Sequence, residues 1–418
     1  MGQTAFVKSP TRPITAERIM HSFRLNLDVP LTALVIALLV VGLMMVYSAS
    51  WKSAQGGGEA DSYYLLRQIT FVMLGVVTAL GLSLFNYHRY QRLLVPMIIL
   101  ALVMLIAVLL KGEDRFNSTR TLFNGSVQPS EFAALALIVY LAFWLYSKRE
   151  VLNLLFFGLF PMMMILGVMG GLIWLQPDFS AAITVFVMGG VLFYLAGAEL
   201  RQVILVVVAA LMVGFLVITF TNTGQDRWDK YLAGLTNPSE ASDHMQRVFE
   251  AITRGGAFGV GIGKSITKFT GLPVPWTDSI YAVIVEETGM VGGGIVLSLY
   301  MFILYRGMQI AKRAPDQLGR LLAGGVTLWI VFNALLNMGV MVSVFPFAGN
   351  ALPLISYGGS SMVATMAGIG ILMNVHRSSS QKNSANIEGR SYGAVVDMRR
   401  RDRRRRVSRP VGSEGPGK

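Results

Sequence analysis

Apolar residues in this chain gather in long unbroken runs, not at the alternating or every-third-and-fourth positions of soluble strands and helices. Such runs recur at about 30–49, 64–84, 93–110, 130–146, 152–174, 179–197, 202–220, 279–304, 318–343 and 350–374, each near the ~20 residues a helix needs to cross a bilayer. A helix closes its backbone hydrogen bonds within one segment, which is what hydrocarbon demands. The pattern therefore predicts an all-α polytopic membrane protein with about ten transmembrane helices. The first run is too long for a cleaved signal peptide and reads as a retained anchor. Three parts are expected: a polar N-terminal segment (1–29), a ten-helix membrane domain (30–374), and a basic, disordered tail (375–418).

Composition strengthens this reading. The 418 residues are 53% hydrophobic and only 14% charged, with a mean hydropathy of +0.55, more apolar surface than one soluble core uses. The net charge of +13 is concentrated in the tail, where residues 377–418 hold 12 Lys and Arg against four acids. Such a segment cannot build a core, and it suits anionic lipid headgroups better than nucleic acid. Lys8, Arg12, Arg18 and Arg24, then Arg89 and Arg92, Lys148 and Arg149, Arg201, and Arg306, Lys312, Arg313 and Arg320 all fall on one side if the N-terminus is cytoplasmic. Both termini are then cytoplasmic, and the loops 111–129 and 221–278 face outward. The chain has no Cys, which removes thiol chemistry, and its four His are too scattered for a His-based metal site.

The loop 221–278, between the seventh and eighth runs, is far longer than a helix connection needs. It carries Trp228, Tyr231, Leu232 and Leu235, and Met245 to Ile252 shows helical apolar spacing, which suits an amphipathic helix lying along the membrane interface. Arg227, Lys230, Arg247, Arg254, Lys264 and Lys268 are interleaved with these positions, a combination fitting a substrate with an anionic headgroup and a lipid tail. The run Gly255 to Ser265 ends like a phosphate-binding P-loop, but Phe258 stands where the motif needs its first Gly and no strand precedes it. Either it is a plain flexible turn, or its backbone N–H groups form a nest for a pyrophosphate.

The loop ends at Asp278, where a membrane helix begins. A carboxylate at the centre of such a helix costs roughly 2.5–3.5 kcal/mol, and less near the interface, so Asp278 is either a chemical group or the cap of the helix that follows. Glu286 and Glu287 lie further into the same apolar run, and at least one must face protein or water. Glu131, after Pro129, either complements a helix N-terminus or serves function; Asp178, after Pro177, has the same two readings and leans to structure. Ser356 to Ser360 interrupts the last run with two glycines, to line a cavity or to let helices approach closely.

Gln128-Pro129-Ser130-Glu131, Gln176-Pro177-Asp178, Gly255 to Gly261, Leu272-Pro273 with Thr277-Asp278, Glu286-Glu287 and Leu352 to Ser361 occur in an order that resembles the FtsW/RodA/SpoVE family, the SEDS proteins, over about residues 30–374. The resemblance implies a ten-helix glycosyltransferase that polymerises lipid II, an undecaprenyl-pyrophosphate-linked disaccharide peptide, on the outer face of the bacterial cytoplasmic (inner) membrane. It implies a class B penicillin-binding protein as partner, with other divisome or elongasome proteins. Asp278 matches the family's essential acid. Its implied task is to take the proton of the acceptor hydroxyl or to organise a divalent cation, Mg²⁺ or Mn²⁺, near the pyrophosphate; no other cofactor is implied. Glu131, with Gln128 and Ser130, is the second candidate, and Glu286, Glu287, Ser356, Gly358, Gly359 and Ser360 are candidates for the substrate site. The chain departs from the pattern in three places: Arg120 is followed by Thr121 where an Arg-Trp pair is usual, Ala134 replaces a cavity Lys, and Trp276 replaces a His before Thr-Asp. Arg120, Lys264 or Lys268 are then expected to take the phosphates. A lipid II transporter and a non-catalytic scaffold are the alternative readings, although a transporter should show internal repeats, and none is evident.

Overall fold

The computed structural model describes residues 27–405 except 57, 112, 116–117, 122–127 and 347–348, with backbone alone at 113–115, 118–121, 383–405 and a few other positions. The N-terminal basic residues 8–24 and the tail beyond 405 lie outside the described residues. Among the described residues the regular structure is helical, apart from a two-stranded antiparallel ribbon of β1 (Glu113–Arg115) and β2 (Ser118–Thr121). Its helices are α1 (Val29–Gly56), α2 (Tyr63–Leu84), α3 (Leu94–Lys111), α4 (Pro129–Ser147), α5 (Phe160–Trp174), α6 (Phe179–Leu195), α7 (Leu200–Phe220), α8 (Asn222–Thr236), α9 (Asp243–Gly255), α10 (Ile280–Lys312), α11 (Gln317–Met341) and α12 (Gly359–Arg405). Among the described residues seven segments are long and apolar enough to cross a membrane, containing α1–α5, α10 and α11. Residues 179–195 and 200–216 are shorter apolar helices, and the first half of α12 is diluted by Gly, Ser and Asn. The expected count of ten includes these last three.

Helices α4, α6, α11 and the first half of α12 form the centre. α11 is buried nearly all round, with Leu321, Leu322, Val326, Trp329 and Ile330 at most 1% exposed, the pattern of a helix surrounded by protein. The outer helices show the converse: Val77 of α2, Leu110 of α3 and Phe215 of α7 are exposed, as the lipid-facing side of a membrane bundle requires. α12 continues to Arg405, into residues expected to be disordered. Extending a formed helix adds one hydrogen bond per residue fixed, whereas starting one is costly.

α1 and α10 are fastened at both ends. At one end Asp28, fully buried, accepts the backbone N–H of Leu31 at 3.0 Å and three guanidinium contacts from Arg306 at 2.8–3.1 Å. His376 of α12 lies 3.3 Å from the same carboxylate. Burial alone would raise the Asp28 carboxyl, but Arg306 and the Leu31 N–H outweigh it and hold it below its ordinary value. At the other end, Ser48 of α1 donates to Glu287 of α10 at 2.6 Å.

α10 is one long helix with a break at Gly289, whose φ of 73° lies in the left-handed region. The loop after α9 fills the break. Val260 and Gly261 donate to the carbonyls of Glu286 and Glu287, and Met290 and Val291 donate to those of Gly256 and Ala257, at 2.9–3.2 Å. The four backbone groups that the break would orphan are thereby satisfied. A Cβ on Gly289 would lie 2.2 Å from the Ala257 carbonyl oxygen, so only glycine allows this approach. The Gly255–Gly263 run is a clamp on the helix break, and the amides of Val260 and Gly261 are committed to it.

Candidate functional site

α9 is the amphipathic helix expected from its spacing, but its apolar face does not lie on lipid. Met245, Val248, Ala251 and Gly255 are buried, and a Cβ on Gly255 would meet the Val285 carbonyl at 2.2 Å, so α9 packs backbone-close on α10. The ionic residues of the loop follow. Glu286, fully buried, accepts from Ser265 Oγ at 2.5 Å and from the N–H groups of Ile266 and Thr267 at 3.0 and 3.2 Å. Glu287 accepts from Ser48, from Lys268 Nζ at 2.7 Å and from the Gly263 N–H at 2.9 Å. Lys268 Nζ also contacts Ser48 Oγ at 3.0 Å and the Gly263 carbonyl at 3.1 Å, and both side chains of the pair are fully buried. These three residues, expected to meet substrate, instead fasten the loop to α1 and α10; a buried charge is tolerated only when paired and hydrogen-bonded. Lys264 differs: it is exposed. The side chain of Arg120 lies outside the described part, its backbone in β2.

Four separated sequence segments meet around one cavity. Gln128 precedes α4, with Pro129 at its first position. Ser130 Oγ and Gln128 Nε2 donate to Asp178 Oδ2 at 2.9 and 3.1 Å, while Ser180 Oγ and the Ala181 N–H contact Oδ1 at 3.1 and 3.3 Å. Asp178 is thus the N-cap of α6 and the organiser of the Gln-Pro-Ser-Glu turn. The Gln128 N–H donates to Ser360 Oγ at 2.6 Å, joining this turn to the start of α12. The cavity is small and partly open, and it is lined by Glu131, Asp178, Trp329, Asn333 and Asn350 among others. Glu131 makes no hydrogen bond or ion pair with another described side chain. Ala134, one turn along α4, offers it no cation. Trp329 contributes an indole N–H that is buried without a partner among the described residues. The wall thus presents one open acceptor and one open donor, a pairing that suits a ligand hydroxyl or carbonyl.

Asp278 is held close by. Asn337 Nδ2 donates to the Asp278 carbonyl at 2.9 Å and to that of Asn350 at 2.5 Å, and Asn350 in turn donates to the Asn333 carbonyl at 3.0 Å. Asn337 therefore bridges the Asp278 backbone and the cavity wall. Ser356 Oγ accepts from the Leu352 N–H and donates to the Thr277 carbonyl at 2.7 Å, and the Tyr357 N–H donates to the Trp276 carbonyl at 2.9 Å. Gln68 of α2 braces the same turn through the Ser356 carbonyl and the Gly358 N–H. The break before α12 is thus a cradle for residues 276–278. Ser356, Gly358, Gly359 and Ser360 hold the chain around the site; a Cβ on Gly359 would strike the Phe71 ring. The cap position of α10 belongs to Ser279, so Asp278 stands one residue ahead of it, partly exposed. Ser279 Oγ lies 3.2 Å from His244 Nε2 of α9, and burial pushes the His244 imidazole down to about 4. Asn333, Asn337, Asn350 and His244 were not expected here, although two amides one turn apart in the apolar run 318–343 are themselves a signal of polar work inside a bundle.

Among the described residues no group of three or more His, Asp or Glu side chains is arranged to hold a metal ion. One carboxylate, Asp278, does not make a metal site by itself.

Fold and site define a multi-pass membrane protein with a polar cavity among its central helices. The chain belongs to the FtsW/RodA/SpoVE family, described as cell cycle proteins, whose model matches residues 29–381. It is 37% identical over 364 residues to a probable peptidoglycan glycosyltransferase FtsW of Thioalkalivibrio sulfidiphilus, covering 84% of this chain and 90% of that one. It is 31% identical to the stage V sporulation protein E of Bacillus subtilis, covering 84% and 97%. Among solved structures it resembles a chain of a peptidoglycan synthase complex described as coordinating polymerization and crosslinking (TM-score 0.70, 28% identity, 85% of this chain and 99% of that one). It also resembles the rod shape determining protein RodA of Thermus thermophilus (TM-score 0.63, 26% identity, 85% and 98%).

Proposed function

We propose that this chain is a peptidoglycan glycosyltransferase that polymerises lipid II into glycan strands on the outer face of the cytoplasmic membrane, with both termini cytoplasmic, and that it serves cell division together with a class B penicillin-binding protein. The observation that carries this reading is the hydrogen-bonded joining of the Thr277–Asp278 and Ser356–Ser360 segments, through Asn337 and Ser360, to the wall of the cavity that Gln128–Glu131 lines, in a chain of this family. The orientation is supported by the short basic connections, among them the Arg306 end of α10, paired with Asp28.

In this reaction the acceptor hydroxyl attacks the anomeric carbon of the donor, the diphosphate leaves, and the configuration inverts. Asp278 accepts the hydroxyl proton as general base. The bonds from Asn337 and Ser356 fix the backbone on either side of it, which orients the carboxylate before substrate arrives. Glu131 and the Trp329 N–H position sugar or peptide groups at the cavity. Positive charge on the departing diphosphate would come from Arg120, or from Mg²⁺ or Mn²⁺ carried by the diphosphate, with Asp278 as the nearest protein carboxylate.

The test is gel-resolved polymerisation of labelled lipid II by the purified protein, with and without a co-purified class B penicillin-binding protein, comparing wild type with Asp278→Asn. Long glycan products from wild type and at least a hundredfold less from the variant, at equal melting temperature, are expected. Equal product from both would remove Asp278 from catalysis. Product from neither, with the partner present, would favour lipid II transport or scaffolding of the partner.

A further inference from the structure

The clamp between the glycine loop and the break in α10 fixes the depth of the loop in the membrane. From Gly289 to Lys312 the helix runs about 35 Å at ~1.5 Å per residue, slightly more than the ~30 Å of hydrocarbon. Gly289 and the loop bonded to it therefore sit where acyl chains meet headgroups. On α10 the residues around that level, Met290, Val291 and Ile295, are 66%, 51% and 57% exposed, and they belong to a helix apolar enough to span. The loop extends this lipid-facing band. Phe258, two residues after a carbonyl bonded to Met290, is 84% exposed, Ile262 is 58% and Ile266 is 51%. Three large apolar side chains on a clamped, glycine-rich loop are not core residues that failed to pack, because the backbone is hydrogen-bonded on both sides of the break.

The charges nearby have matching chemistry. Lys264, between Ile262 and Ile266, is exposed, and its side chain makes no hydrogen bond with another described residue. At the end of the same segment, Phe269 meets Trp51 edge-on at 5.8 Å and lies under Lys52 Nζ at 4.4 Å. Aromatic rings with lysines at one level are the composition of a membrane–water interface, and lysine stems reach from acyl chains to phosphates. No acidic side chain of this segment competes for the two lysines: Glu286 and Glu287 are buried and occupied.

We infer that residues 258–269 are a lipid-inserted anchor, with Phe258, Ile262 and Ile266 in the acyl boundary and Lys52 and Lys264 on the phosphates of anionic phospholipid. The anchor belongs to this loop, since the apolar face of α9 is covered by α10. It holds the floor of the extracytoplasmic loop at the bilayer surface whether or not substrate is present, so its test needs no glycosyl transfer and stands or falls separately from the reaction.

The chain has no cysteine, so Phe258→Cys, Ile262→Cys and, as an exposed control, Glu59→Cys can each carry one nitrobenzoxadiazole label in vesicles of phosphatidylcholine and phosphatidylglycerol. Nitroxide lipids spin-labelled high on the acyl chain are expected to quench the labels at 258 and 262 at least threefold more than the label at 59, while iodide quenches only the latter. Iodide quenching at all three positions would overturn the anchor. For the headgroup, native mass spectrometry of retained lipid is expected to show phosphatidylglycerol favoured over phosphatidylcholine, and that preference to fall at least threefold in the Lys52→Gln/Lys264→Gln variant. An unchanged preference, or displacement of phosphatidylglycerol by one equivalent of a polyprenyl diphosphate, would overturn the phospholipid assignment.

Discussion

Lys268 has three ammonium protons and three acceptors, Glu287, Ser48 and the Gly263 carbonyl, so it has nothing left for a phosphate. Removing it leaves the Glu287 carboxylate buried with one partner fewer, a change that costs about 3–5 kcal/mol for a buried pair. Lys268→Met should therefore lower the detergent melting temperature sharply, and Lys268→Met/Glu287→Leu should regain most of the loss. Lys264→Met should leave stability within about 0.5 kcal/mol. Equal losses for the two lysines would refute the distinction. His244 gives a pH signature at the same loop. Its imidazole titrates near 4 in the folded protein against an ordinary 6.5, so between those values the unfolded chain binds the extra proton. Stability then rises with pH across that window, is fully present above about 6.5, and is lost as pH falls through about 4. A His244→Gln variant should flatten the melting temperature between pH 4 and 6.5 relative to wild type; an unchanged slope would assign the pH dependence to other groups.

The clamp between the α9–α10 loop and Gly289 makes a similar demand of whole helices. A Cβ at Gly289 or Gly259 would lie 2.2 or 2.3 Å from a carbonyl oxygen of the facing segment, and both residues have positive φ. Gly289→Ala should therefore expel the loop at a cost of at least 1–3 kcal/mol, by order of magnitude, and expose residues 255–263 to limited proteolysis. Gly294→Ala, a site with open space around it, should leave both readouts as in wild type. The helices themselves were legible because hydrocarbon admits few alternatives, and unbroken apolar runs mark them directly. The break was not, because its signal is a lone Gly289 among the other glycines of α10, and its partner lies some thirty residues upstream. For the same reason the Gly255–Gly263 run remained open between a turn and an anion nest. Its amides are committed only once α10 lies alongside. α9 was legible as an amphipathic helix, but a periodic apolar face does not say whether lipid or protein covers it.

In the membrane domain as a whole, the cavity and the two fastenings of α1 to α10 divide the labour. Glu131 was legible as a candidate because a carboxylate inside an apolar run demands a reason; the amides of Asn333, Asn337 and Asn350 were not, since their role depends on α11 being central. At one membrane face Asp28, Arg306 and His376 bind α1, α10 and α12, and at the other Ser48, Glu287 and Lys268 bind α1 to α10 and the loop. The twenty residues of α1 between Asp28 and Ser48 place these clusters about 30 Å apart, well beyond the distance over which side-chain losses couple. Arg306→Met leaves the fully buried Asp28 carboxylate without its principal cation and should cost about 3–5 kcal/mol, whereas Ser48→Ala removes a hydrogen bond to a charged group, worth about 1.5–3 kcal/mol. In a double-mutant cycle the two losses should add to within about 0.5 kcal/mol. Only the Ser48 change should alter polymerisation, because only that end fastens the loop bearing Asp278. A coupling larger than 1 kcal/mol would mean that α1 transmits strain from its Asp28 end to the site, and the two ends would then act as one device.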